Sequence, residues 1–72
     1  MASWLVQRRL RRNVAQLRAA REELEVAEEQ TLYLDEGGAD LESMERHRAV
    51  LRRRIADLQA EQDRLLDQFG GG

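Results

Sequence analysis

Three carboxylates, Asp35, Glu36 and Asp40, stand within six residues of one another. Oxygen ligands at that density suit a hard divalent cation. The stretch Asp35-Glu36-Gly37-Gly38-Ala39-Asp40 lacks the regular spacing of a calcium loop, and such residues also cap helices and solvate turns. The spacing favours caps and turn residues over a metal site. His47 is the one histidine and there is no cysteine, so neither an imidazole–thiolate metal site nor a disulfide is available. No nucleophile stands with a base in a recognisable constellation. The expectation is a protein that is not an enzyme and uses no cofactor.

The arginines are the second chemically pointed group. Arg8-Arg9-Leu10-Arg11-Arg12 and Arg52-Arg53-Arg54 have the density of phosphate-binding runs. No aromatic residue interleaves with them, each run folds against an acidic block, and the net charge is −2. They read as solvated or ion-paired faces, with no nucleic-acid partner expected. Trp4-Leu5-Val6 ahead of arginines could touch an anionic membrane, but the stretch is short. The favoured role for Trp4 is to cover an open helix end beside Phe69. No apolar run approaches a membrane span, and none of secretory-signal length follows the N-terminal arginines. The expected location is cytoplasmic.

Helical elements must position these groups. The 72 residues contain no proline, and glycine occurs only at 37–38 and 70–72. Ser3 is a candidate N-cap. A 3-4 spacing then runs through Val6, Leu10, Asn13, Leu17, Ala20, Leu24, Ala27, Thr31 and Leu34. A second runs through Leu41, Met44, Arg48, Leu51, Ile55, Leu58, Gln62, Leu65 and Phe69. Each is a heptad seam of a and d positions. The spacing predicts one domain: helix 1 over about 4–35, a turn at 36–40, helix 2 over about 41–69, and a glycine tail at 70–72. Gly37-Gly38 closes the first helix and Asp40 caps the second.

A turn this short makes the helices antiparallel neighbours. Folding between residues 37 and 38 fills nine layers, from Leu34/Leu41 through Ala27/Arg48, Ala20/Ile55 and Leu17/Leu58 to Val6/Phe69. Asn13 meets Gln62 in one layer, so the polar intruders can bond and fix register. Arg48 can lay its stem over Ala27 and keep its head in water. The charge blocks agree. Residues 1–21 hold six Arg and no acid, and residues 22–42 hold nine acids and no base. Antiparallel folding lays basic blocks against acidic ones. Along the g edge Glu23 faces Arg54. Along the e edge Arg21 nears Arg52 and Glu28 nears Glu45, like-charge contacts that either a diagonal Glu28–Arg52 pair or a second chain could relieve.

The fold expected is therefore all-α: an antiparallel two-helix coiled-coil hairpin, dimerising into a four-helix bundle because one hairpin buries a thin core. Apolar residues off the seam suggest where. Ala19, Val26 and Tyr33 fall at c positions of the first helix, with Leu5, and Val50 at c of the second. With Gln30 and His47 they form a mildly apolar face, the candidate surface for a second copy or an unidentified protein partner.

The run Glu45-Arg46-His47-Arg48, through Ile55-Ala56-Asp57-Leu58 to Gln62-Asp63-Arg64-Leu65-Leu66-Asp67, resembles small uncharacterised coiled-coil proteins of GC-rich bacteria. The layout with Asp35, Glu36 and Asp40 at its tip is similar in shape to the coiled-coil arm of Gre-type transcript cleavage factors. That likeness implies an alternative function, a transcription regulator inserting an acidic tip into RNA polymerase. The tip here lacks that family's Asn-containing motif.

Overall fold

The computed structural model describes residues 3–34 and 38–70, without the side chains of Ser3, Ala39 and Phe69. The described residues form two helices, α1 (Ser3–Thr31) and α2 (Ala39–Gly70), and no strand occurs among them. They pack side by side in a rod 54 Å long and 14 by 12 Å across. Cross-helix contacts fix their direction: Asn13 reaches Leu58, Glu23 reaches His47 and Glu28 reaches Arg52. As numbers rise on one helix they fall on the other, so this is an antiparallel helical hairpin.

The 3-4 spacing decides what is covered. Every seam residue with a described side chain is buried or half-buried. Only Gln16, Gly38 and Glu61 join them from outside the seam. The innermost cluster is Leu17, Ala20 and Leu58, with Ile55 packed against it. Small Ala20 and large Ile55 share that level, which lets the two backbones approach while the space between them stays filled. Leu51, Leu65 and Ala27 complete the buried apolar set.

The chain's ends and turn depart from expectation in four places. The α-helical part of α1 stops at Thr31 rather than near residue 35. Beyond it the amides of Leu32, Tyr33 and Leu34 donate to Glu29, Gln30 and Thr31 carbonyls at 3.2, 3.1 and 3.2 Å. Bonds three residues back tighten a helix end, where the last carbonyls have no amide a full turn ahead. At the other arm the Gly38 carbonyl accepts from Leu41 and Glu42 amides at 3.1 and 3.2 Å. Gly38 is thus the capping position. Asp40 lies inside the first turn with Glu42, where negative charge favours the positive end of the helix dipole. Ser3 is the first residue of α1 rather than the cap before it, and Gly70 is the last residue of α2, one past the expected end.

Two polar seam residues also differ from the layer count. Asn13 is 0% exposed, and its Nδ2 donates to the Leu58 carbonyl at 2.9 Å instead of pairing with the Gln62 side chain. That carbonyl is also the helical acceptor for the Gln62 amide, so Asn13 takes its second lone pair. Asn13 Oδ1 is buried with no partner. Arg48 is covered further along its length than a stem laid over alanine requires: its Nε is buried and unbonded.

Candidate interaction faces

Closing the seam leaves two long sides, one along the g edges and one along the e edges. The g side carries all six candidate residues, Ala19, Val26, Gln30, Tyr33, His47 and Val50, and all six are exposed. Val26 is 51% and Val50 66% exposed, at one level of the rod, and Tyr33 is 81% exposed nearer the turn. Val50 lines a shallow hollow with Arg53, Arg54 and Asp57, and His47 lines another with Leu34, Asp40, Ser43 and Met44.

The g side has a charged centre that the seam count assigns elsewhere. Glu23 reaches His47 Nε2 at 4.0 Å rather than Arg54, so this contact crosses the helices between Val26 and Val50. The reason is geometric. On adjacent antiparallel helices a long side chain reaches a diagonal neighbour as readily as the one directly opposite. The side is therefore an apolar pair flanking a Glu–His contact, rather than a surface short of charge. Towards the open end it becomes basic, with Arg9, Arg12 and Arg64 lining a hollow beside Gln16 and Glu61.

The e side shows the same diagonal. Arg52 reaches Glu28 at 3.8 Å, which relieves the Arg21/Arg52 and Glu28/Glu45 oppositions. Two heptads towards the open end, the same diagonal relates Val14 to Leu66. These are 47% and 49% exposed. The spacing argument favours c positions and passes over this pair, although both are apolar residues at e, flanking the seam. It also passes over Leu32, which is 81% exposed just past the end of α1.

Asp35 and Glu36 lie outside the described residues, so of the acidic tip only Asp40 is placed, exposed in the first turn of α2. Among the described residues no group of three His, Asp or Glu is arranged to hold a metal ion. No helix among them is long and apolar enough to cross a membrane. Neither a family model, nor a curated protein, nor a solved structure matches this chain.

Proposed function

We propose that this chain is a non-enzymatic interaction or scaffold module, a coiled-coil hairpin that pairs with a second copy through its g side. The observation that carries this reading is an imbalance of apolar side chains. Among the described residues the buried apolar set comprises four leucines and two alanines, whereas eight large apolar residues stand exposed. A domain this small stabilises itself weakly from its own core, and covering exposed apolar side chains against another helix face is the usual remedy. Val26, Val50 and Tyr33 supply the apolar contact. Ala19, a small residue two turns from Val26, leaves room for a large side chain of the partner copy. The Glu23–His47 contact and the basic open end orient it. The reading places the pair in the cytoplasm as a four-helix assembly that other proteins can bind.

Val26→Glu combined with Val50→Glu tests it by sedimentation equilibrium. Both positions are exposed, so the helices should persist by circular dichroism. The mass should fall by a factor of about two, since each substitution buries a charge against a neighbour without a counterion. An unchanged mass would overturn the g-side assignment.

A further inference from the structure

Trp4 is expected to cover the open end of the hairpin, yet it is 63% exposed, and Leu5 beside it is 38% exposed. The turns that follow continue this outward side with arginine. At 100° per residue, Trp4, Leu5, Arg8, Arg11, Arg12 and Arg18 fall within an arc of roughly 140° on the side of α1 opposite the seam. All six are exposed. The ion pairs among the described residues are Glu23–His47, Glu28–Arg52 and Arg53–Asp57, so none of these four arginines is paired there. No acid stands on α1 before Glu22. The nearby acids of α2 point elsewhere by their heptad positions: Glu61 on the g flank, Asp63 on the e flank, and Asp67 on the far side of the rod.

A basic helix face that ends in an exposed indole and a leucine matches a bilayer with anionic headgroups. Guanidinium groups form charge-assisted hydrogen bonds with lipid phosphates. Each arginine held near such a surface strengthens binding about five-fold. The indole pairs an apolar ring with an N–H donor, a combination that settles at the headgroup level, and Leu5 can enter the same layer. A nucleic-acid duplex would satisfy the arginines through its phosphates but offers Leu5 no apolar layer. Beyond Arg18 the outer side of α1 turns acidic at Glu22 and Glu29. An anionic surface therefore attracts the open end and repels the turn end, so the rod meets it tilted, open end first. We infer that the outer face of α1 from Trp4 to Arg18, roughly 21 Å long at 1.5 Å per residue, docks on an anionic lipid surface. The arginines lie at the phosphates, with Trp4 and Leu5 in the headgroup layer. None of these residues is among the six of the g side, so the contact is open to the chain whether or not it pairs there.

Trp4 is the one tryptophan of the chain, so its emission reports the contact directly. Titration with vesicles of equal parts phosphatidylcholine and phosphatidylglycerol should bind the chain and shift Trp4 emission to the blue. Vesicles of phosphatidylcholine alone should bind it at least about ten-fold more weakly, and added salt should release it from the anionic ones. Arg8→Gln combined with Arg11→Gln should weaken co-sedimentation with the anionic vesicles by about 25-fold. Both positions are exposed, so helix content should be unchanged by circular dichroism. Trp4→Ser should weaken the same co-sedimentation several-fold. The assignment is overturned if the anionic vesicles do not bind, if both vesicles bind alike, or if bound chain leaves Trp4 emission unshifted. Undiminished binding of the double arginine variant, with its helices intact, overturns it as well. So does a DNA duplex that strips the chain from the vesicles at equal phosphate concentration, because the arginines then serve nucleic acid.

Discussion

The open half of the hairpin and its turn half are built from the same 3-4 spacing and pack differently. In the open half Asn13, Leu17, Ala20, Leu58 and Leu65 are buried, and an interhelical hydrogen bond joins Asn13 to the Leu58 backbone. In the turn half Ala27 and Leu51 are buried, while Leu24, Thr31, Leu34, Leu41, Met44 and Arg48 are only half-covered, as are Val6, Leu10 and Gln62 in the open half. The layers explain the contrast. Leucine and isoleucine against leucine or alanine fill the space between two helices. Thr31 and Arg48 cannot: the Thr31 hydroxyl turns back to donate to the Ala27 carbonyl at 2.7 Å, and Arg48 carries a nitrogen that burial leaves unbonded. A regular apolar period therefore specifies which face is inside, and the residues at each layer specify how tightly it closes.

Breaking the tighter half should produce the largest effect. Leu17→Ala removes a side chain that is buried in the central cluster, and should cost about 2–4 kcal/mol in urea unfolding. Leu41→Ala, at a half-covered position, should cost about half that or less. Equal losses would mean the two halves are packed alike. A smaller effect of opposite sign is expected from Asn13→Leu. It replaces a buried amide whose oxygen has no partner, and should raise stability by about 1–2 kcal/mol. A destabilised Asn13→Leu would show that the bond to Leu58 outweighs the orphaned oxygen. Arg48→Met should sharpen the comparison from the other side. It keeps the covered stem, removes the unbonded Nε, and should stabilise the turn half by about 1 kcal/mol in the same measurement.

Particular residues show how far sequence alone carries the structure. The seam is legible because the helical period and the apolar period coincide over eight successive steps, and covering follows it position by position. The diagonal Glu28–Arg52 contact is legible too, because like charges directly opposite one another leave it as the favourable alternative. Asn13 is not, since a side chain's preference for another side chain in its layer competes with a backbone carbonyl that no sequence pattern displays. The end of α1 is blurred because Leu34 continues the 3-4 period after the backbone has left the α-helix. Val14, Leu32 and Leu66 escape notice for a different reason. Inside one hairpin no packing constrains an exposed position, so no period marks these residues.

The Asn13 bond has one more consequence. Its acceptor is a backbone carbonyl, and every residue of α2 offers one. The bond therefore does not identify its partner, and a shift of seven residues would present it with an equivalent group. Register in this molecule falls instead to the connecting chain, which works as a ruler: its length decides which turn of α2 meets which turn of α1. Two separate peptides carrying the same seams would still find each other, but without that ruler only the charge blocks and the small-to-large layers such as Ala20/Ile55 would choose among alignments.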